Sequence, residues 1–275
     1  MCAESPPDDG RAVMQAKDFP YCSARFAAMA HRGGSAWEPN IGKENTFYAF
    51  SQAVSLGYRY VETDVQVTAD HRVVCMHDTD LERVAGVAGP VKDFTSGELS
   101  QIRIAGTEPI PFLDDVVDAL PGTRFNVDLK TDDAVEPLAR LIAAHNLYDR
   151  ILVDSFSQGR ISQFRTLTKG RVPTAIAPIG VVWTAFVPVL SRMISSPGVA
   201  LQVPVSQKVG RLTLPVVTRT VIDRVHSLGK VIHVWTINDP DQMETLIDFH
   251  VDGIITDRPD LLKQILVRRN LWESQ

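Results

Sequence analysis

Short apolar runs alternate along the chain with longer segments whose apolar positions recur at helical spacing. The runs Phe26–His31, Tyr60–Gln66, Phe125–Lys130, Ile151–Phe156, Pro173–Ala177, Ala200–Val203, Val231–Ile237 and Gly253–Thr256 predict strands. Thr46–Leu56, Leu113–Ala119, Val135–His145, Gly159–Thr168, Thr218–Leu228 and Asp241–Phe249 predict helices. Gly57, Gly122, Gly170 and Gly229 follow several of these helices, where a C-terminal glycine is expected. Strand–helix alternation predicts a parallel sheet covered by helices, for which closure into a (β/α)8 barrel is the natural solution.

One stretch breaks the alternation. Val65 to Asp78 reads as strand, turn at Ala69-Asp70-His71, and strand Val73–His77, so it predicts a hairpin that returns His77-Asp78 to the sheet mouth. Residues 79–112, rich in Gly, Pro and Thr, predict an irregular insertion after that hairpin. Residues 1–20 predict a flexible polar lead-in, leaving 21–275 as a single domain.

Composition narrows the setting. Net charge is −5, from 33 acidic and 28 basic residues, which gives no electrostatic reason to expect a nucleic-acid partner. Cys2, Cys22 and Cys75 have no metal-ligand spacing and predict no disulfide framework, so a cytoplasmic, reducing setting is expected. The N-terminus lacks the basic start and apolar stretch of a secretion signal. The most apolar stretch, Pro178–Leu190, is interrupted by Pro188 and falls short of the ~20 residues a membrane span needs. It is expected to be buried barrel structure with adjacent loop, with no stable membrane insertion.

The chemistry concentrates at predicted strand ends. Along a strand, alternate side chains share a face, so Glu62 and Asp64 point one way while Val61, Thr63 and Val65 point the other. Two like charges ~4 Å apart cost on the order of 4 kcal/mol at an effective dielectric of ~20. A shared proton, a basic partner or a divalent cation could offset that cost, and a solvated acidic strand face would avoid it. Asn126, Asp128 and Lys130 share a face in the same manner, as a functional pair or a structural one. His31-Arg32-Gly33 ends an apolar run and presents a titratable ring beside an anion clamp. Glu44 or Asn45 could simply cap the helix that follows. His77 beside Asp78 could be oriented by it.

Taken in order, His31-Arg32-Gly33, Glu44-Asn45-Thr46, Glu62-Thr63-Asp64-Val65, His77-Asp78, Asp128-Leu129-Lys130, Trp235-Thr236-Ile237-Asn238 and Asp252–Pro259 resemble the motifs of glycerophosphodiester phosphodiesterases. The resemblance runs from about His31 to Leu262 and guides the count of eight strands. It implies a (β/α)8 TIM barrel with a small insertion. It implies metal-dependent hydrolysis of small-molecule glycerophosphodiesters to sn-glycerol 3-phosphate and an alcohol, with Mg²⁺ or Ca²⁺ as cofactor, through a cyclic phosphate. By the same resemblance His31 and His77 are the acid–base pair, and Glu62, Asp64 and Asp128 are metal ligands. Glu44 is a further ligand or a group behind the ligands, Arg32 and Lys130 bind phosphate, and Trp235 walls the glycerol pocket.

Two departures stand out. Asp128 occupies a position where the family usually has Glu, and the loop Gly34–Lys43, carrying Trp37 and Glu38, is longer than usual. Phospholipase D-like or lysophospholipid-cleaving activity on the same barrel is the alternative. A Schiff-base aldolase using Lys130 is disfavoured, because Asp128 would keep that lysine protonated. A non-catalytic barrel that only binds such diesters would not need both histidines.

Overall fold

The computed structural model describes residues 14–176, 197–209 and 212–273. The expected apolar stretch Pro178–Leu190, Cys2 and residues 1–13 lie outside the described residues. Among the described residues there are twelve strands: β1 Ala27–His31, β2 Tyr60–Val67, β3 Val73–Cys75, β4 Arg103–Ile104, β5 Glu108–Pro109, β6 Arg124–Leu129, β7 Ile151–Asp154, β8 Ala200–Val203, β9 Ser206–Val209, β10 Leu212–Pro215, β11 Val231–Val234 and β12 Gly253–Thr256.

Seven of them form one parallel run in the order β7-β6-β2-β1-β12-β11-β8. Residues 174–176 bridge its two edges. Thr174 pairs with Val153 and Ala175 with Ala200, both parallel. Ala175 N–H donates to Val153 O at 2.9 Å and Ile176 N–H to Ala200 O at 2.7 Å. The ring therefore closes as an eight-part barrel, as the strand–helix alternation predicts.

Outward side chains such as Val61, Val127, Val153, Leu201, Val234 and Ile254 pack against Phe50, Leu138, Phe164, Ile222, Met243 and Leu262 of the covering helices. Burying each such side chain stabilises by roughly 1.5–3 kcal/mol. Inward side chains are layered. Met29, Tyr60, Leu152, Ala200 and Ile255 fill the floor with Tyr21 beneath them. Above them Asn126 and Gln202 exchange amide bonds at 3.1 Å, and Gln202 Nε2 lies 3.2 Å from His233 Nδ1. Charged residues occupy the top. An apolar floor under a polar layer excludes water from below and confines the chemistry to the C-terminal mouth.

Part of the expected lead-in is corrected. Residues 14–20 are not a loose polar arm: Ala16 and Phe19 are buried, and Ala16 N–H donates to Gly229 O at 2.8 Å. Tyr21 follows, its carbonyl accepting from the Tyr60 hydroxyl at 2.7 Å. Their aromatic surface outweighs the polar residues around them.

The hairpin is present, with β3 antiparallel to β2. The insertion is more ordered than its composition suggests. It holds the one-turn helices Glu82–Ala85 and Ser96–Leu99 and the β4–β5 pair, and its Leu81, Val91, Leu99, Ile104, Ile110 and Phe112 form a small core with Val74 and Met76 of the hairpin arm.

Candidate active site

A cleft of about 620 Å³ opens at the strand C-termini. It brings together His31, Arg32, Glu62, Asp64, His77, Asp128, Lys130 and Trp235, and adds Asp154 and Phe156. The alternation in β2 and β6 is what delivers the carboxylates: Glu62 sits beside Asn126 and Asp64 beside Asp128 in parallel register. Trp235 and Phe156 meet edge to face with ring centroids 5.9 Å apart and form the apolar side of the mouth.

Both histidines are held through Nδ1. For His31 the partner is Asp257 Oδ1 at 2.6 Å; for His77 it is Asp78 Oδ1 at 2.6 Å. Asp257 also accepts from Ser35 Oγ at 2.7 Å and Asn238 Nδ2 at 2.9 Å. Asp78 also accepts from Arg83 Nε. A carboxylate on Nδ1 places the proton there and leaves Nε2 for proton exchange. Burial works against Asp257's charge, yet the His31 hydrogen bond holds its carboxyl down at about 2. The Arg83 hydrogen bond holds Asp78 at about 2, with His77 adding to it. Burial disfavours the His31 cation, but Glu62 and Asp257 outweigh it and raise the ring's pKa.

The carboxylates divide by partner. Asp64 is held by Lys130 Nζ at 2.8 Å, Arg32 Nε at 3.0 Å and Asn45 Nδ2 at 2.9 Å. Burial opposes its charge, but Lys130 and Arg32 keep its pKa low. Among the described residues Glu62 has only the Arg32 backbone N–H at 3.1 Å and His31 Nε2 at 3.7 Å. Burial and then Asp64 push Glu62 up to about 8. Asp128 Oδ2 accepts from Lys130 at 2.7 Å, while its Oδ1 is buried with no hydrogen-bond partner among the described residues.

Glu44 lies behind this cleft. Its carboxylate is gripped by Arg32 at 3.1 Å and by Arg83 at 2.6 and 3.0 Å. Thr46 rather than Glu44 or Asn45 caps the helix Phe47–Ser55, accepting from Ala49 N–H at 3.1 Å. Asn45, with φ at 56°, turns instead toward Asp64 and accepts from Thr63 Oγ1 at 2.8 Å. Three residues at or around the site carried no role of their own in the sequence reading, Arg83, Asp154 and Asp257, and Asn45 was read only as a possible helix cap. Asp154 had a signal, since alternation over Ile151–Phe156 puts it on the face of Leu152.

The donors suit a hard divalent cation, being carboxylate oxygens, of which the buried Asp128 Oδ1 is unpartnered among the described residues. Among the described residues no three acidic, histidine or cysteine side chains stand at metal-ligating geometry; Lys130 bridges Asp64 and Asp128.

Residues 31–261 match the model of the glycerophosphoryl diester phosphodiesterase family. A Mycobacterium tuberculosis protein described as probable glycerophosphodiester phosphodiesterase 2 is 36% identical over 90% of this chain and 93% of its own. A Bacillus altitudinis glycerophosphodiester phosphodiesterase is 29% identical over 84% of this chain and 94% of its own. The crystal structure of a glycerophosphodiester phosphodiesterase from Thermotoga maritima superposes with a TM-score of 0.69, at 24% identity, over 87% of this chain and 98% of that one, and shares the barrel fold.

Proposed function

The chain belongs to the glycerophosphoryl diester phosphodiesterase family and is a phosphoric diester hydrolase acting on glycerophosphodiesters; we propose that it works with His31 and His77 as its acid–base pair. The observation that carries this reading is that two histidines, each with Nδ1 fixed by an aspartate, line one cleft with Arg32 and Lys130.

One histidine takes the proton from the attacking glycerol 2-hydroxyl, and the other protonates the leaving alcohol oxygen. With roles reversed, the same pair admits water to open the cyclic phosphate, giving sn-glycerol 3-phosphate. Arg32 and Lys130 supply positive charge where the phosphorane-like transition state gathers negative charge. The Trp235–Phe156 corner offers an apolar surface for the glycerol carbons. Glu62, Asp64 and Asp128 would hold a Mg²⁺ or Ca²⁺ ion, which when bound polarises a nonbridging phosphate oxygen. No helix among the described residues is long and apolar enough to cross a membrane. A small-molecule substrate in a cytoplasmic setting fits the free thiols of Cys22 and Cys75.

The test is hydrolysis of glycerophosphocholine by the wild type, His31→Ala and His77→Ala, with and without chelator. Each histidine variant should lose roughly 100- to 10,000-fold in kcat. Chelator should abolish wild-type turnover, and Mg²⁺ or Ca²⁺ should restore it. Turnover at the wild-type rate in either variant removes that histidine from the acid–base role.

A further inference from the structure

Asp154 is the last residue of β7 and lines the cleft, with no role in the chemistry described above. Its place in the sheet is informative. Asp64 pairs with Asp128 across β2 and β6, and Asp128 pairs with Asp154 across β6 and β7. Three carboxylates therefore form one row across three adjacent parallel strands, at one height in the barrel. Neighbouring strands lie ~4.8 Å apart. Side chains at matched positions on one face point the same way, and Leu152, two residues before Asp154, packs in the barrel interior with Met29, Tyr60 and Ile255.

The row lacks positive charge at one end. Lys130 serves Asp64 and Asp128, and Arg32 serves Asp64 and Glu44. Among the described residues no Lys, Arg or His forms an ion pair with Asp154, whose Oδ1 accepts from the N–H of Ser155 at 2.7 Å. Beside it, Asp128 is about nine-tenths buried, and among the described residues its Oδ1 has no hydrogen-bond partner. Like charges on adjacent strands repel, and a divalent cation shared by them turns that repulsion into attraction.

We propose that Asp154 is a fourth carboxylate of the cation site, supplying oxygen on the β7 side next to the unpartnered Oδ1 of Asp128. The proposal rests on the reading of Glu62, Asp64 and Asp128 as cation ligands and extends it. Its chemical consequence is selectivity. Ca²⁺ takes about six to eight oxygen ligands at flexible geometry, whereas Mg²⁺ demands a tighter octahedron and keeps several waters. A fourth carboxylate therefore favours Ca²⁺.

The experiment is calorimetric titration of the full chain, stripped of metal, with CaCl₂ and separately with MgCl₂. Wild type, Asp154→Asn and Glu62→Gln are compared, and the melting temperature of each metal-free protein is recorded. Asp154→Ser is a second variant should the asparagine protein not fold. With Asp154 as a ligand, its replacement weakens Ca²⁺ binding about tenfold or more and Mg²⁺ binding less, and the metal-free melting temperature is unchanged or higher. Wild-type Ca²⁺ affinity in the Asp154 variant, with weakened binding in Glu62→Gln, overturns the role of Asp154 and leaves the cation site standing. Failure of the wild type to bind either ion overturns both.

Discussion

At the scale of single residues, the site depends on which nitrogen of each histidine carries its proton. Asp257 accepts on both oxygens: from His31 and Ser35 on Oδ1, and from Asn238 on Oδ2. The Asn238 amide is itself fixed, because its Oδ1 accepts from Thr256 Oγ1 and from Asp257 N–H. An asparagine at 257 has only one accepting atom. Its NH₂ must face the Asn238 NH₂ or face His31 and force the proton onto Nε2. We expect Asp257→Asn to cost roughly 100-fold or more in kcat, with KM little changed. Steady-state kinetics on glycerophosphocholine check this; a change confined to KM would mean that Asp257 only shapes the pocket. His31 and Asp257 sit 226 positions apart, and nothing local announces their bond. Glu62 with Asp64, and Asp128 with Lys130, were by contrast legible, because strand alternation alone decides which side chains share a face.

At the scale of elements, the sequence revealed most of the barrel. Leu113–Ala119, Ala200–Val203 and Gly253–Thr256 have the predicted bounds, and most other elements shift by a residue or two at their ends, while the expected strand Pro173–Ala177 is present in its described part only as the bridges at Thr174 and Ala175. Strands Ile151–Phe156 and Val231–Ile237 were predicted longer than they are, since apolar character continues into residues that line the mouth. The β9–β10 pair and the helix Pro259–Arg268 were not anticipated. The former is four residues a strand with little apolar alternation, and the latter opens directly from the motif around Asp257. The insertion's contribution was hidden as well. Arg83, on the one-turn helix Glu82–Ala85, bonds both Asp78, which orients His77, and Glu44, which braces Arg32. One exposed arginine thus ties the insertion to a histidine and to the phosphate arm on different elements. Arg83→Ala should change global stability by no more than about 1 kcal/mol, as exposed pairs do. It should nonetheless lower kcat/KM by about tenfold, with Arg83→Lys recovering part of the loss. Thermal melts beside steady-state kinetics separate the two effects. Unaltered kinetics in Arg83→Ala would show that the insertion does not set the site's geometry.

At the scale of the whole molecule, the barrel's layering sets a conflict between folding and charge. The floor buries apolar side chains, and the mouth buries carboxylates above them. Burial, with Asp64 adding to it, raises Glu62 to about 8, and burial, with Asp128 adding to it, raises Asp154 to about 7. In the unfolded chain such groups titrate near ~4. Between roughly pH 4 and the folded values the native state therefore binds more protons than the unfolded one, and stability falls as pH rises. His31, with its raised pKa, acts in the same direction: its contribution is present below ~6.5 and lost as the ring deprotonates. Asp257 and Asp78, at about 2, contribute stability above their unfolded pKa and lose it only in more acidic solution, outside this window. The metal-free protein should thus melt at a progressively lower temperature from pH 5 to pH 8. Ca²⁺ or Mg²⁺ should raise the melting temperature strongly at pH 8 and weakly at pH 5, where protons compete for the same oxygens. Glu62→Gln should flatten the slope. Scanning calorimetry across that range, with chelator or with cation, decides it. A melting temperature that stays level or climbs in chelator would mean that the mouth carboxylates ionise freely in the fold, and the need for a cation to balance them would go with it.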